Sequence, residues 1–344
     1  MTKFDKDYLK LCKKILEEGE EVENRTGINT LSIGPAYLHF DQSEEFPILT
    51  TKQVFYRKAI LEMLWIYQAQ SNDVRWLLDR EVEGIWDDWM VDADGIYRIY
   101  DPNEVPKNKE YHDNEVDVVD LDGKPILDKN CMPIKTSATE EMKQKRREIT
   151  GAKYYGDDFA YTIGTAYGYI IKKYGALDKL IDNLKNNPQD RRGVISLWQN
   201  ADLKTAVLPS CVWSSEWNVN KGKLNAWVHQ RSCDVPAGLP FNITQYSVLQ
   251  HMLAKEVNLE PGTLDWSINN AHIYVNQIDS IKEQIRRGEE LPDLEAPELW
   301  LNPDKSFYEY NNTYNSKEPE KGYKEDIKIL NYKHHGPIKV EVAR

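Results

Sequence analysis

The sequence contains few of the features that mark secreted, membrane-spanning or metal-binding proteins. Only four of its 344 residues are cysteines (Cys12, Cys131, Cys211 and Cys233), and they are scattered rather than closely paired as in a zinc site. No run of ~18 apolar residues occurs, so we expect no membrane-spanning helix. The first residues, MTKFDKDYLKLCKK, lack the apolar core of a secretion signal. These absences predict a cytoplasmic protein with reduced thiols, no bound metal and no membrane contact.

Positively charged residues are fewer than negatively charged ones. The chain has 44 lysines and arginines against 56 aspartates and glutamates, which gives a net charge of −12 at pH 7. This balance argues against broad binding to nucleic acid or to acidic membranes, because both need a positive protein surface. It leaves room for a small anionic ligand, since arginines that converge in a pocket act at hydrogen-bond range while distant charges are screened within roughly 10 Å.

The rest of the composition is typical of a globular protein, with 40% hydrophobic and 29% charged residues. Apolar residues recur at helical spacing in five segments, at 3–18, 54–70, 176–187, 242–257 and 276–288. A strand is predicted at 193–198, and two further strands flank a glycine-containing turn at 220–223. Because helical and strand segments are mixed without a regular alternation, we predict an α+β fold in a single domain covering residues 1–344.

One long stretch departs from this pattern. Residues 97–160 hold many charges, including the run EEMKQKRRE, and few apolar clusters. We predict a surface insertion or a small subdomain there, rather than a layer of the core. The sequence leaves the role of this insertion open.

Cys211, in the stretch LPSCVW, is either a reactive thiol or a buried residue without a chemical role. A free cysteine is usually the latter, since it behaves as a small apolar side chain. The stretch QRSCD places Arg231 near a second cysteine, Cys233, at the end of a predicted strand. An arginine near a thiol lowers the thiol pKa, and an arginine also binds phosphate by a two-pronged hydrogen bond. An isolated arginine is more often part of a surface salt bridge, so this stretch alone does not show that either cysteine is reactive.

Two polar residues in apolar surroundings are further candidates. Glu62 lies within AILEMLWIY, where burial would favour its neutral form and suit it to general acid or base catalysis. It could equally occupy the one exposed stripe of that helix, and periodicity does not decide between the two. Asn242 follows LPF at a predicted helix start. It is either an N-cap or, because an amide both donates and accepts, a group that reads the edge of a base such as uracil.

Other candidates form a sugar-binding pair and a set of arginines. The stretch AHIYVN places His272 and Tyr274 two residues apart, and therefore on one face of an extended strand, where they could hold a sugar hydroxyl. Arg25 stands before a glycine turn in NRTG, and Arg191 with Arg192 precedes a predicted strand. Adjacent side chains on an extended segment point in opposite directions, so the paired arginines can serve two different partners.

Nine short motifs follow one another in an order that is specific to one enzyme family. They are RTGINTLSIG (25–34), FPILTTK (46–52), LEMLWIY (61–67), GIWDDW (84–89), AYGY (166–169), DRRGVIS (190–196), LPSC (208–211), QRSCDVPAGLPFNITQY (230–246) and AHIYVN (271–276). The segment YKHHGPIKVEVA (332–343) also resembles a C-terminal segment of that family. One such motif would be weak evidence, whereas this many in order resemble the thymidylate synthase family very specifically.

The resemblance implies an enzyme that converts deoxyuridylate (dUMP) to thymidylate (dTMP). Methylene-tetrahydrofolate would be the cosubstrate that supplies both a one-carbon group and a hydride, and dihydrofolate would be released. The family fold implies a mixed β-sheet with helices on one face and a homodimer that forms through the sheet. Neither a metal nor a nucleic acid is implied as a requirement.

The resemblance also assigns the catalytic roles. Cys211 would be the nucleophile that adds to carbon 6 of uracil, near Arg231. Glu62 would manage proton transfers through ordered water, and Tyr167 would help to remove the proton from carbon 5. Asn242 would recognise the pyrimidine edge.

The nucleotide contacts implied by the resemblance are Arg25, Arg191, Arg192, Arg231, Ser232, Asn242, His272 and Tyr274. Arg25, Arg231 and Ser232 would bind the phosphate of dUMP. Arg191 and Arg192 would reach the phosphate in the site of the other subunit, which makes the homodimer necessary for activity. His272 and Tyr274 would hold the deoxyribose hydroxyl.

The implied folate contacts are Lys52, Trp86, Trp89, Asp234 and Gly238. Asp234 would bind the pterin, the two tryptophans would line its pocket, and Lys52 would meet the glutamate tail. A C-terminal segment at 332–344 would close over both ligands and exclude water.

The chain departs from the common family pattern at Ser210, Val212, Pro236, Ala237 and Arg344. The changes in the folate pocket and at the terminus leave room for a relative that adds a hydroxymethyl group instead of a methyl group. Asn242 favours uracil over cytosine as the base in that case. A third alternative is a nucleotide- or RNA-binding protein that keeps the fold without chemistry, and the intact set of Cys211, Glu62, Asn242 and arginines argues against it.

Overall fold

A computed structural model describes residues 1–97, 115–117, 126–127, 129, 132, 134–137, 139, 153–313 and 324–342. Met1–Ser71, Tyr167–Asn200 and Pro209–Arg344 form one compact unit, called the main unit below, and Asn72–Ala166 with Ala201–Leu208 form a second unit. Most of residues 97–160 lie outside the described part of the chain. The expectation of a single domain with an insertion there therefore stays a prediction.

Helices and strands follow one another in an irregular order in the described residues. The α-helices there are α1 (Lys3–Glu18), α2 (Tyr56–Met63), α3 (Arg75–Leu78), α4 (Gly168–Tyr174), α5 (Ala176–Asn186), α6 (Gly238–Glu256) and α7 (Ile278–Glu290). The strands there are β1 (Glu20–Val22), β2 (Thr30–Ile33), β3 (Ala36–Asp41), β4 (Ile96–Tyr97), β5 (Glu115–Asp117), β6 (Lys135–Ser137), β7 (Lys153–Tyr154), β8 (Val194–Ser196), β9 (Val212–Asn220), β10 (Lys223–Gln230), β11 (Cys233–Asp234), β12 (Glu260–Ile268), β13 (Ala271–Tyr274), β14 (Glu298–Leu301) and β15 (Ile327–Leu330). The predicted α+β class is confirmed.

A five-stranded sheet in the main unit has the order β3-β12-β10-β9-β8. Its pairing is mixed, because β10 runs parallel to β12 and antiparallel to β9, while the two outer pairs are antiparallel. The β9–β10 hairpin turns through Lys221 and Gly222, both of which have positive φ, as a two-residue hairpin turn requires. The parallel β10–β12 pair needs a crossover connection, and α6 lies within that connection.

The two faces of this sheet differ. Buried side chains such as Leu224, Val228 and Trp266 lie on the face that packs against α6. On the opposite face, Trp227 is 45% exposed and donates its indole N–H to Ser267, whose backbone pairs with Tyr37, which is 59% exposed. This open face therefore presents large aromatic side chains to solvent.

A second sheet in the main unit has the order β1-β2-β13-β11 and packs against α1. Its parallel β11–β13 pair aligns Asp234 with His272. The N-cap of α1 is Thr2, which accepts the backbone N–H of Asp5, and the predicted apolar face of this helix, including Cys12, is buried. This sheet therefore brings two of the predicted ligand-binding residues side by side.

Two predicted helix ends are wrong. The helix predicted from 242 begins at Gly238, so Asn242 lies inside α6 and is not its N-cap. Pro240 is compatible with this early start, because backbone N–H groups in the first turn have no partner within a helix. Helix α7 runs through Gly288, which does not cap it. Gly288 instead allows close packing, since a Cβ there would lie 2.4 Å from Leu9 Cδ1.

Helix α2 confirms the helix predicted in the region 54–70, although it ends in an unexpected way. The α-helical part stops at Met63, and the chain continues as a π-helical turn over Leu64–Gln68. Such turns are rare and often lie at functional sites. Glu62 is in the last α-helical turn before it.

The second unit contains α3 and two small antiparallel pairs, β4–β7 and β5–β6. Asp87–Trp89 forms a short turn of 3-10 helix between α3 and β4. Val82, Val91 and Ile96 belong to the buried core of this unit.

Candidate active site

Strand pairing brings the predicted nucleophile and the predicted arginine together. Cys211 lies immediately before β9, and Arg231 lies immediately after β10, the antiparallel partner of β9. The backbone N–H of Arg231 donates to the carbonyl of Cys211 at 2.9 Å. The side chain makes a second contact, with the guanidinium Nη2 3.6 Å from Cys211 Sγ.

The guanidinium of Arg231 is held by the same loop that carries the thiol. Its Nε donates to the carbonyl of Ser210 at 3.1 Å, and its Nη2 donates to the carbonyl of Pro209 at 2.7 Å. The ring of Trp198 lies 5.9 Å from the guanidinium carbon. These contacts fix the plane of the charged group relative to Sγ of Cys211.

Burial and positive charge act in opposite directions on the Cys211 thiol. Burial raises its pKa, whereas Arg231 and Arg25 lower it, and the net pKa is above the ordinary value. The sequence-based expectation that nearby arginine lowers the pKa of a thiol gives the correct sign for Arg231 and Arg25. The sequence does not show how deeply the thiol is buried, and burial is the larger effect.

Tyr167 is held beside the nucleophile by an unusual backbone conformation. It precedes α4 with φ of 48°, in the left-handed region that residues with a side chain rarely adopt. Its hydroxyl accepts the backbone N–H of Cys211 at 3.0 Å, and burial raises the pKa of this phenol well above its usual value. The next residue, Gly168, packs so closely that a Cβ would lie 2.0 Å from the carbonyl oxygen of Ser71.

Glu62 is buried, with 8% of its surface exposed, so the alternative of an exposed helical stripe is excluded. Because α2 packs against α6, Gln245 of α6 reaches this carboxylate, and its Nε2 donates to Glu62 Oε2 at 2.6 Å. A carboxylate held in a fixed position can exchange a proton with a ligand or water within reach.

Asn242 lies one turn before Gln245 on α6. Its Nδ2 donates to Gln245 Oε1 at 3.1 Å, and its Oδ1 accepts from Gln230 Nε2 at 3.1 Å. A side-chain amide has two donor hydrogens and two acceptor lone pairs, so Asn242 keeps the capacity both to donate to a base and to accept from one.

The predicted sugar-binding pair lies on β13. The rings of His272 and Tyr274 are perpendicular, with centroids 5.3 Å apart, and Nδ1 of His272 lies 2.8 Å from Oδ1 of Asn270. Burial lowers the pKa of His272, so the imidazole is neutral near pH 7. Burial raises the pKa of Tyr274, and the charge of Arg25 opposes this shift.

The other predicted phosphate ligands occupy two environments. Arg25 is exposed in the turn before β2, close enough to influence the thiol of Cys211 electrostatically. Ser232 is half-buried in the link between β10 and β11, directly after Arg231. Arg191 and Arg192 lie on the exposed connection between α5 and β8, and the side chain of Arg192 is 85% exposed while its Nε pairs with Asp190.

Three of the predicted folate ligands lie in the main unit. Asp234 accepts from Gln277 Nε2 at 2.9 Å and from the backbone N–H of Ala237 at 3.1 Å, and burial raises its pKa to about 6. Lys52 is buried, its Nζ donates to the carbonyl of Pro236 at 2.5 Å, and burial lowers its pKa to about 8. Gly238 is the first residue of α6.

Trp86 and Trp89, the other two predicted folate ligands, lie in the second unit. Trp86 is buried there, whereas the ring of Trp89 is stacked on Tyr97 with centroids 6.3 Å apart. Tyr97 in turn packs edge-on against Tyr155. Trp89, Tyr97 and Tyr155 therefore form an aromatic cluster within that unit.

The C-terminal segment is hydrogen-bonded to α7, and to Gln277 just before it, at residues between His335 and Glu341. Nη1 of Arg287 donates to the carbonyl of His335 at 2.7 Å, and Oγ of Ser280 donates to the carbonyl of Lys339 at 2.8 Å. Nε2 of Gln277, which also binds Asp234, donates to the carbonyl of Glu341 at 2.7 Å. One buried glutamine thus joins the C-terminal segment to a predicted folate ligand.

A cleft of about 390 Å³ lies next to the start of α2. It is lined by Gln53, Val54, Phe55, Tyr56, Arg57, Lys58, Ile329, Tyr332 and His334. Its two cationic side chains follow closely after Lys52 in the sequence. One of them, Arg57, is ion-paired with Glu325 at 3.5 Å, so the positive charge of the cleft is partly neutralised.

The described residues contain neither a candidate membrane-spanning helix nor a candidate metal site. No helix in that part of the chain is both long and apolar enough to cross a membrane. No group of three or more histidine, cysteine, aspartate or glutamate side chains in the same residues is arranged to hold a metal ion.

Sequence reasoning missed three buried glutamines at the site, namely Gln230, Gln245 and Gln277. Gln245 could have been found from its position three residues after Asn242, since residues at that spacing share a helix face. Gln230 and Gln277 lie directly beside residues that the motifs pick out, but nothing in the sequence shows that their side chains point into the site.

Comparisons with known proteins agree with this geometry. A profile of the thymidylate synthase family matches residues 6–344. A thymidylate synthase of Clostridium beijerinckii is 37% identical over 344 residues, and one of the Bacillus phage phi3T is 33% identical over 354 residues, with both chains fully covered in each case. Among solved structures, the thermostable thymidylate synthase A from Bacillus subtilis has 31% identity and a TM-score of 0.69, again over the full length of both chains. The chain therefore belongs to the thymidylate synthase family.

Proposed function

We propose that the protein catalyses the reductive methylation of dUMP to dTMP, with methylene-tetrahydrofolate as the cosubstrate and Cys211 as the nucleophile. The observation that carries this proposal is the position of the thiol, 3.6 Å from the fixed guanidinium of Arg231 on a loop that is bound to the hydroxyl of Tyr167. The family assignment favours methylation over hydroxymethylation, since the relatives compared are thymidylate synthases. It also disfavours a binding protein without chemistry.

In the first step, the thiolate of Cys211 would add to carbon 6 of the uracil ring. The carbon–sulfur bond forms, and the electron pair of the 5,6 double bond moves toward carbon 5 and the oxygen on carbon 4. Arg231 supports this step because a nearby positive charge favours the thiolate. Asn242 supports it by hydrogen bonding to the base, where donation to the developing oxyanion stabilises the adduct.

In the following steps, carbon 5 would bond to the one-carbon group of the folate as that group's bond to one of its two folate nitrogens breaks, and carbon 5 would then lose its proton. Tyr167 lies beside the loop that carries Cys211 and Glu62 is buried on α2, and we assign this proton to these two groups and the water that they order. Loss of the proton breaks the bond between the one-carbon group and the remaining folate nitrogen, which leaves an exocyclic methylene on carbon 5 and frees tetrahydrofolate. Tetrahydrofolate then transfers a hydride to this methylene, which becomes the methyl group of dTMP. The electron pair of the methylene double bond moves to restore the 5,6 double bond, so the thiolate of Cys211 leaves carbon 6 and dihydrofolate is released.

The nucleotide would be held at its phosphate, its sugar and its base. We assign the phosphate to Arg25, Arg231 and Ser232, because arginine binds phosphate through paired, charge-assisted hydrogen bonds. His272 and Tyr274 would hold the deoxyribose hydroxyl, which a neutral imidazole and a phenol can both contact.

The folate would lie against Asp234 and Gly238 of the main unit, and the assignment of Trp86 and Trp89 to the same ligand rests on the family resemblance alone. A carboxylate can accept hydrogen bonds from the N–H groups of a pterin, and a pKa of about 6 leaves Asp234 ionised near neutral pH. Lys52 would provide positive charge for the glutamate tail, since a pKa of about 8 leaves it largely protonated at pH 7. Residues 332–344 would close over both ligands.

We further propose that the protein is a homodimer that forms through the open face of the five-stranded sheet. The exposed aromatic side chains Tyr37, Trp213 and Trp227 support this, since large exposed apolar patches mark interaction surfaces. The exposure of Arg191 and Arg192 is compatible with their reaching the phosphate in a second subunit.

Two other expectations remain proposals. A cytoplasmic location is inferred from the sequence and from the family. Independence from nucleic acid is supported by the net charge of −12, which disfavours contact with a phosphate backbone.

The decisive experiment compares wild-type protein with Cys211→Ser in a reaction containing dUMP and methylene-tetrahydrofolate. Dihydrofolate is followed by absorbance and the nucleotide product by mass. We expect dTMP and dihydrofolate from the wild type, and a loss of at least about 10³-fold in kcat for the variant, because serine is a far weaker nucleophile near neutral pH.

The matched control is Cys233→Ala, which removes a buried thiol from β11 in the second sheet and should retain most of the activity. A hydroxymethyl product without dihydrofolate would show that the enzyme is a hydroxymethylase and not a methylating synthase. Full activity of Cys211→Ser would show that Cys211 is not the nucleophile.

A further inference from the structure

A chain of four hydrogen bonds runs through the buried side of the site. The indole N–H of Trp266 donates to Gln230 Oε1 at 2.9 Å, and Gln230 Nε2 donates to Asn242 Oδ1 at 3.1 Å. Asn242 Nδ2 donates to Gln245 Oε1 at 3.1 Å, and Gln245 Nε2 donates to Glu62 Oε2 at 2.6 Å. Each of the three amides, Gln230, Asn242 and Gln245, accepts from the group before it and donates to the group after it.

The two ends of this chain give it a direction. An indole N–H can only donate, and an ionised carboxylate can only accept. Between these ends, rotation of any one amide by 180° would place two donors or two acceptors against each other, which is costly for buried groups. Gln230, Gln245 and Trp266 are all at most 5% exposed. The orientation of the Asn242 amide is therefore set by its neighbours, before any ligand arrives.

We propose that Gln245 is a positioning residue that couples the base-reading group, Asn242, to the acid–base group, Glu62. This inference rests on the roles proposed above for those two residues. Gln245 is the member that touches both, through the two ends of one amide. It holds the Asn242 amide in the orientation that its neighbours dictate, and it holds the Glu62 carboxylate against α6 by a short hydrogen bond.

This coupling has a consequence for selectivity. Uracil presents a donor N–H at position 3 beside an acceptor oxygen at position 4, whereas cytosine presents an acceptor beside a donor amino group. An asparagine free to rotate could match either pattern. An asparagine fixed by Gln230 and Gln245 presents one pattern only, and the wrong base then leaves a buried polar group without a partner.

The coupling also favours one protonation state of Glu62. The Nε2 of Gln245 donates to the carboxylate, which stabilises the ionised form against the effect of burial. Tyr167 also interacts electrostatically with Glu62, and it is neutral because burial raises its pKa. Removing the amide donor should therefore shift the acid limb of the pH–kcat profile to higher pH.

Three variants separate this role from a structural one. Gln245→Met keeps the length of the side chain and removes both hydrogen bonds. Gln245→Glu can still accept from Asn242 Nδ2 but cannot donate to Glu62 when it is ionised. The matched control is Gln250→Met, which removes a buried glutamine from the same helix whose Nε2 donates to the carbonyl of Leu224.

The measurements are kcat and KM for dUMP across pH 5–9, the affinity for dUMP and for deoxycytidylate by calorimetry, and the urea midpoint of each protein. For Gln245→Met we expect a 10- to 100-fold lower kcat, a several-fold higher KM and weaker discrimination between the two nucleotides. For Gln245→Glu we expect KM near the wild-type value, a similar or larger loss in kcat and the largest shift of the acid limb. Gln250→Met should lose stability but keep the wild-type pH profile.

The inference is overturned if both Gln245 variants keep the wild-type pH profile and lose activity only in proportion to their stability, as the control does. A wild-type protein that binds dUMP without turning it over would instead overturn the proposed function. If Gln245→Met does not fold, the pH profile and KM of Gln245→Glu decide the question.

Discussion

Around Cys211, the reactivity of a single thiol depends on a balance between burial and charge. Burial raises its pKa, and the guanidinium of Arg231 opposes that shift from 3.6 Å. Below the pKa of a thiol, each unit of pKa changes the thiolate fraction tenfold. A change in either contribution should therefore be visible in the rate of a reaction that consumes thiolate.

Arg231→Gln removes the nearer positive charge and leaves the burial of the thiol. We expect the pKa of Cys211 to rise further, so that alkylation by iodoacetamide at pH 7 slows by about tenfold or more. The pH dependence of alkylation should move to higher pH. Mass spectrometry of the peptide that contains Cys211 measures both effects.

The control for this prediction is Arg286→Gln on α7, where the arginine is ion-paired with Glu283 and Glu290 at the surface. Alkylation of that variant should match the wild type. If Arg231→Gln reacts as fast as the wild type, the guanidinium does not set the reactivity of the thiol.

Among the secondary-structure elements, the start of α4 shows how packing can impose a strained conformation on a residue of the site. Tyr167 has a positive φ there, and the next residue, Gly168, lies against the backbone of Ser71, where there is no room for a side chain. The same contact fixes the phenol beside the backbone N–H of Cys211. The position of Tyr167 therefore depends on a neighbour that touches no substrate.

Gly168→Ala should disturb this arrangement. Its Cβ would lie 2.0 Å from the Ser71 carbonyl oxygen, so the backbone must shift. We expect a loss of about 2–3 kcal/mol in the free energy of unfolding, and a lower kcat because Tyr167 moves with its neighbour. Urea unfolding followed by circular dichroism measures the first effect and steady-state kinetics the second.

Gly34→Ala is the matched control, because no heavy atom lies within 4 Å of the Cβ position there. That variant should change stability by less than about 0.5 kcal/mol. An unchanged urea midpoint for Gly168→Ala would show that the backbone at Ser71 yields easily and that α4 does not hold Tyr167 in place.

The elements themselves were largely predictable, since hydrophobic spacing located α1, α2, α5 and the β9–β10 hairpin. The start of α6 was not, because Pro236, Gly238 and Pro240 before Asn242 are typical of a loop, although Pro240 is tolerated in a first helical turn. The motifs found Cys211 and Arg231 through their family resemblance. The buried glutamines were missed, because a glutamine in a sequence does not show whether its side chain faces solvent or a buried carboxylate.

For the whole molecule, the proposed homodimer would form through the open face of the five-stranded sheet. A sheet with large exposed aromatic side chains is poorly suited to solvent, and a second copy of the same face would cover it. In such an arrangement each face meets itself, so one substitution appears twice in the interface.

Trp227→Glu should therefore prevent dimerisation. It replaces an exposed aromatic side chain with a carboxylate near Glu216, which pairs with it across the strands, and like charges in an interface repel. We expect a dimer for the wild type and a monomer for the variant at micromolar concentration, measured by sedimentation velocity. Activity should fall with the dimer fraction if Arg191 and Arg192 act in the other subunit.

The control for this prediction is Val22→Glu, at an exposed position on β1 in the other sheet of the main unit. It should sediment like the wild type. A wild-type protein that is monomeric at high concentration would rule out the sheet-mediated dimer.

Two contacts in the candidate site differ in the number of residues that separate the two partners along the chain. The contact between Cys211 and Arg231 spans 20 residues within one hairpin, whereas the contact between Gln245 and Glu62 spans 183 residues. By loop-closure entropy, the longer span costs roughly 2 kcal/mol more to close. Cys211 and Arg231 are therefore joined at low entropic cost, while the contact between Gln245 and Glu62 depends on the completed packing of α2 against α6.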